Sequence, residues 1–200
     1  MIPRVLISLL ILIAISLPSF ICAQIIHIGD LTPTNRAGQF TIFNPDSLDG
    51  QYGTPIAGGD LNEDGLDDLV ISAMAGDGPN NLRQDSGEVS VYFSSGVIAG
   101  EFDLRRSDPQ VLTLFGEKPG DIFGIKSHIA DIDADGLGDL LVGAFYADVD
   151  SISDAGRLYL FSGTLLTDLQ SKSQTLDLAL PWPENVSLVN GPHQRSRLGV

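Results

Sequence analysis

Residues 50–78 read GQYGTPIAGGDLNEDGLDDLVISAMAGDG, and residues 120–148 read GDIFGIKSHIADIDADGLGDLLVGAFYAD. With Gly50 set against Asp121 they align without a gap at an offset of 71: Tyr52-Gly53 matches Phe123-Gly124, Asp60 matches Asp131, Gly65 matches Gly136 and Asp68 matches Asp139. A period of this kind marks one supersecondary unit used more than once, each copy burying its apolar face against the next. The fold is therefore a question about a single unit and its stacking.

Outward from this pair the periodicity is that of strands. SGEVSVYFSSG (86–96) and AGRLYLFSG (155–163) match at an offset of 69, and both alternate as half-buried strands do. LVIS from Leu69 and LLVGA from Leu140 read as buried strands after the acidic loops. A further β-rich piece precedes each Gly pair: QFTIF from Gln39, VLTLFG from Val111, and SLVNG from Ser187 ahead of Leu198-Gly199. The spacing predicts four short strands per unit: one before the Gly pair, one leading into the acidic loop, one after it, and the closing strand. Four-stranded units repeated around an axis make a β-propeller. GTLLTDLQSKSQTL from Gly163 is polar and reads as a connection between blades, so an all-β chain is expected.

The expected division is a signal peptide at 1–23, an N-terminal strand segment at 24–38, a first repeat at 39–110, a second at 111–186, and at 187–200 the start of a third that stops before its acidic loop. The leader MIPRVLISLLILIAISLPSFICA has one arginine, an apolar run of about a dozen residues, too short to span a bilayer, and a small-residue end. Cleavage after Ala23 would remove the only cysteine, and secretion is expected. IIHIGD (25–30) has no counterpart in the second unit and is expected to pair with a final blade absent from these residues, so that further blades, or further copies of the chain, close the ring.

The acidic loops carry the chemistry. DLNEDGLDD presents side-chain oxygens at positions 1, 3, 5 and 9, from Asp60, Asn62, Asp64 and Asp68. DIDADGLGD presents Asp131, Asp133, Asp135 and Asp139. Alternate spacing turns the first three oxygens toward one centre, the glycine at position 6 permits the sharp turn, and the backbone carbonyls of Leu66 and Leu137 fall at position 7. An all-oxygen cage suits a hard cation, and Ca²⁺ accepts six to eight flexible oxygens where Mg²⁺ demands a tighter octahedron. Two Ca²⁺ sites are expected. Solvated acidic turns are the plainer alternative, but seven carboxylates in two tight loops would repel one another without a cation. An EF-hand is excluded, because its position 12 glutamate falls on Ile71 and Val142 and the flanks are strands.

An aromatic-Gly pair, seven residues, DxDxDGxxDLLVGA and a closing strand such as GRLYLF resemble the FG-GAP repeat of the integrin α-chain N-terminal β-propeller and its bacterial relatives. The resemblance covers residues 39–200. It implies a propeller, commonly of seven blades, with calcium in hairpin loops on one face, and hence a partial propeller here. Tyr52 stands for the Phe, Asn62 for an Asp, Leu198 for the Phe of the third unit, and Ser72-Ala73-Met74 and Gly143-Ala144-Phe145 for Gly-Ala-Pro. The function implied is an extracellular calcium-binding module for adhesion or for a protein or glycan ligand. The alternative is the non-catalytic propeller of a secreted hydrolase resembling glycosylphosphatidylinositol-specific phospholipase D.

Composition and motifs agree with a binding rather than a catalytic role. Eleven Lys+Arg face 26 Asp+Glu, net −15, and Arg105-Arg106 is the one adjacent basic pair, so nucleic acid is not expected as a partner. His27, His128 and His193 sit at no catalytic spacing, and GxSxG, HExxH, P-loop and GxGxxG motifs are absent. No enzyme activity is expected from these residues. Trp182, in LPWPEN, is expected to pack between blades, and Asn185-Val186-Ser187 is a glycosylation sequon.

Overall fold

The structure is a computed structural model that describes residues 40–43, 52–96, 100–103, 109–172, 174–183 and 185–199. The expected signal peptide and the 24–38 segment lie outside these residues, as do His27 and Arg105-Arg106.

Among the described residues, strands and one α-helix follow in chain order, with a 3-10 turn at Pro79–Asn81. They are β1 (Phe40–Phe43), β2 (Tyr52–Gly59), β3 (Asp68–Ala73), β4 (Glu88–Tyr92), β5 (Gly100–Asp103), β6 (Val111–Phe115), β7 (Phe123–Ala130), β8 (Asp139–Ala144), β9 (Arg157–Phe161), α1 (Gly163–Ser171), β10 (Leu176–Asp177) and β11 (Val186–Asn190). Two antiparallel sheets carry the architecture. The first orders β2-β3-β4-β6, and the second orders β7-β8-β9-β11. They are two blades of the expected all-β partial propeller.

One strand sits differently from the expectation. VLTLF, placed by the sequence at the head of the second repeat, hydrogen-bonds along β4 with Glu88 opposite Phe115 and Tyr92 opposite Val111. It is the outer strand of the first blade. SLVN in β11 does the same for the second blade, with Val186 opposite Phe161. The sequence repeat and the structural blade are thus out of phase by one strand, as happens when each unit lends its leading strand to its predecessor. Two further pairings are parallel: β1 with β5 in a two-stranded sheet of their own, and β10 with β6 at the outer edge of the first blade.

The connection from Gly163 is helical where an irregular segment was expected. Ser162 caps α1, its hydroxyl accepting from the Leu165 N–H at 3.3 Å, and Leu165, Leu166 and Leu169 turn into the core. Three leucines at i, i+1 and i+4 were enough of a stripe, although the remaining face is polar.

The aromatic-Gly pair explains how the blades meet. Phe123 is fully buried and lies edge-on to Tyr159 at 5.3 Å and to Phe161 at 6.2 Å between ring centres. Gly124 has φ +93 and breaks the β7 register between Phe123 and Lys126; a side chain there would meet Val89 Cγ2 at 2.9 Å and Ser72 Cβ at 3.1 Å. Only a residue without Cβ lets β7 approach the first blade so closely. One apolar cluster results, joining Val70, Val89 and Leu112 to Val142 and Phe161 across the blades. β4 is consequently buried at all five positions instead of on one face, whereas β9 alternates as expected. Trp182 packs on the cluster, 5.8 Å from the Tyr159 ring, with its indole N–H donating to the Leu178 carbonyl, as expected of a packing residue.

Leu198-Gly199 takes on the second blade the seat that Phe123-Gly124 takes on the first. Phe123 N–H donates to Ser86 O at 3.0 Å, and Leu198 N–H donates to Ala155 O at 3.1 Å. Gly124 faces Ser72, and Gly199 faces Gly143, the residue 71 positions on from Ser72.

Candidate metal centre

Each acidic loop joins the inner two strands of its blade: residues 60–67 link β2 to β3, and 131–138 link β7 to β8. Both are built from the same side-chain to backbone bonds. Gly65 N–H donates to Asp60 Oδ2 at 2.9 Å and Gly136 N–H to Asp131 Oδ2 at 3.2 Å. Asp64 N–H donates to Asn62 Oδ1 at 3.1 Å, and Asp135 N–H to Asp133 Oδ1 at 3.2 Å. Leu66 and Leu137 N–H each donate at 2.8 Å to the Oδ1 of the aspartate two residues before, Asp64 and Asp135. Successive Asx turns of this kind wind the chain tightly.

The position 9 aspartates do more than end the loop. Asp68 accepts from Leu61 N–H and Ser94 N–H, both at 2.9 Å, and Asp139 accepts from Ile132 N–H at 2.9 Å and Gly163 N–H at 3.0 Å. Each buried carboxylate therefore ties the start of its loop to the end of the closing strand. Ser94 and Gly163 repeat at the offset of 69 seen in the sequence. Burial raises the Asp68 pKa above the ordinary carboxylate value. The Ser94 and Leu61 N–H groups pull it down, and Asp64 and Asp60 add to the rise. This strut role comes in addition to the ligand role expected from spacing, and its sequence signal is an Asp at the first position of a buried strand.

The loops differ in convergence. Asp131, Asp133 and Asp139 each bring a carboxylate oxygen to within 4.8 Å of the others, the one such trio among the described residues. Asp135 stands outside the trio. In the first loop Asn62 Nδ2 donates to Asp64 Oδ2 at 3.2 Å, so one potential ligand is turned onto another. Three hard oxygens already gathered and exposed to solvent on two of the three residues fit an oxygen-seeking divalent cation. Beside them opens a cavity of about 450 Å³ lined by Asp133, Asp135, Ser162, Thr164, Asn185 and Ser187, so the sequon asparagine is exposed at its rim.

The FG-GAP repeat description matches residues 52–92, which are β2, the first loop, β3 and β4. The chain belongs to the FG-GAP repeat family. Integrin alpha-PS2 of Drosophila melanogaster is 31% identical over 147 residues, 71% of this chain and 10% of that protein. Integrin alpha-5 of Xenopus laevis is 28% identical over 123 residues, 60% of this chain and 11% of that protein. Phosphatidylinositol-glycan-specific phospholipase D of Bos taurus is 28% identical over 121 residues, 60% of this chain and 14% of that protein. The FG-GAP chain spans only about a tenth to a seventh of the length of these relatives. The remaining described histidines stand apart from the loops' carboxylates in role: His128 is an exposed strand residue of β7 and His193 an exposed turn residue. No helix among the described residues is long and apolar enough to cross a membrane.

Proposed function

We propose that this FG-GAP chain is a calcium-binding propeller module of the cell exterior, acting in adhesion or ligand binding and without catalytic activity of its own. Asp60, Asn62, Asp64, Asp68 and the Leu66 carbonyl would hold one Ca²⁺, and Asp131, Asp133, Asp135, Asp139 and the Leu137 carbonyl the other. The gathered oxygens of Asp131, Asp133 and Asp139 are the observation that carries this reading. Bound calcium supplies charge neutralisation and a cross-link within each loop. The chain's own groups do the rest: Asp68 and Asp139 anchor each loop to its closing strand, and the Asx turns hold its curvature. Likeness to integrin α-chains supports an extracellular setting and a protein or glycan ligand, and the apolar leader supports secretion. Titrating metal-stripped protein with Ca²⁺ in a calorimeter tests the metal assignment. Two binding steps are expected, and no heat at millimolar Ca²⁺ would sink it.

A second reading rests on the phospholipase D match: the same blades as the accessory, non-catalytic propeller of a secreted hydrolase. Assaying the intact protein from its source for release of glycosylphosphatidylinositol-anchored proteins separates the two. Release favours the hydrolase, and attachment to cells or matrix without release favours adhesion.

A further inference from the structure

The two loops touch, and they do so unequally. A side chain on Gly138 would meet the Asp60 carbonyl oxygen at 2.4 Å and Ile129 Cγ2 at 3.0 Å, which accounts for glycine at this position where the first loop carries Asp67. Gly163, whose N–H binds Asp139, lies against Leu61 O, 3.2 Å from where its Cβ would be. The first loop is thus pressed along one flank of the second. On that flank Glu63, at position 4 of the first loop with φ +59, lays its side chain over the turn of the second: Glu63 Oε1 is 3.6 Å, and its Cδ 3.9 Å, from the place a Gly136 Cβ would occupy. Gly136 is the residue whose N–H holds Asp131 Oδ2, so the Glu63 carboxylate abuts the residue that orients one of the three gathered ligands. The second loop has no acid of its own at position 4, where Ala134 stands in the same left-handed conformation with φ +62.

We propose that Glu63 serves the cation site of the neighbouring loop, adding its charge to the Asp131, Asp133 and Asp139 cage rather than to the loop that carries it. The inference rests on the calcium reading above. The second site then draws on carboxylates from two blades, and its cation bridges the blade interface electrostatically. A full negative charge in the neighbourhood of a divalent ion, partly screened by water and salt, alters affinity by roughly three- to tenfold at low ionic strength. Ala134 has no carboxylate to pass on, so this reinforcement runs in one direction, from the first loop to the second.

Calcium titrations of the full chain with and without Glu63→Gln test this, each repeated in a background carrying Asp133→Asn and Asp135→Asn, which leaves the first loop as the remaining site. The expected result is a roughly three- to tenfold loss in the tighter step of the otherwise native chain, shrinking as salt is raised, with a clearly smaller loss in the first-loop-only background. Equal affinities with and without Glu63, or an equal loss in both backgrounds, would overturn the proposal while leaving calcium binding intact. Absence of Ca²⁺ binding by the chain with Glu63 present overturns the calcium reading itself, and the proposal with it. Circular dichroism of each variant, matched to the parent, keeps misfolding from passing as lost affinity.

Discussion

The first and second acidic loops share three of their side-chain to backbone bonds position for position, yet among the described residues only the second gathers three carboxylates within 4.8 Å. In the first, Asn62 is neutral and turns its amide onto Asp64. In the second, Asp133 supplies a third carboxylate beside those of Asp131 and Asp139. Two near-copies of one motif thus differ at position 3, although the contact between the loops is shared by both. Repeat proteins draw stability from such interfaces between units as much as from each unit. Copies of a motif are not equivalent sites.

The largest expected effect lies where the blades interlock. Phe123→Ala empties a fully buried seat against Tyr159 and Phe161 and should cost about 3–5 kcal/mol, whereas Leu198→Ala, in the equivalent but half-buried seat, should cost clearly less. Urea unfolding of both variants checks this; equal losses would mean that the two seats are not graded by burial.

Calcium comes next. Ligand that binds only the folded chain stabilises it by about 2.7 kcal/mol per site at a hundredfold excess over Kd, so a chelator should lower Tm. An unchanged melting curve with and without chelator would return both loops to solvated turns.

At the end of the second blade remote from its acidic loop, Glu117 pairs with Arg157 and accepts from Tyr159 Oη at 3.0 Å, and Arg157 Nε donates to Asn190 Oδ1 at 2.9 Å. Asp121, buried beside this group, accepts the Lys118 N–H at 3.2 Å. Burial, and after it the Glu117 charge, pushes its pKa up to about 6, against 3.8 in the ordinary range. The folded state therefore holds a proton that the unfolded state has released, and stability falls as pH rises from about 4 to about 6, then levels off. Asp121→Asn should remove that slope and add roughly 2 kcal/mol at neutral pH. Denaturation midpoints at pH 4 and pH 7 test the sign; a variant as pH-dependent as its parent would place the titration elsewhere.

The smallest effect is the ranking of the two sites. The second loop should fill first, within affinities of roughly 10⁻⁴ to 10⁻³ M, and Asp135→Ala should remove the tighter step while Asp64→Ala removes the weaker one. Identical losses from the two variants would erase the distinction between the loops.

Much of this was written in local spacing. The offset of 71, the Asx-capable residues at alternate positions and the apolar strands after each loop are properties of short stretches, and short stretches set backbone turns and faces. Sequence by itself therefore determined the strand-rich blade, the number and place of the loops, and which side chains carry oxygen. Other features depend on residues far apart in the chain. β6 belongs to the first blade because its partner β4 offers an open edge, and β4 is buried on both faces because β7 comes to lie on it. The helix after Gly163 forms because three leucines find a core to enter, a benefit no nine-residue segment has alone. Asp68 and Asp139 became struts because strand pairing brought Ser94 and Gly163 beside them. Only the tertiary structure decided these, since hydrogen bonding and desolvation depend on who stands opposite, and the repeat, read along the chain, is silent about its neighbour.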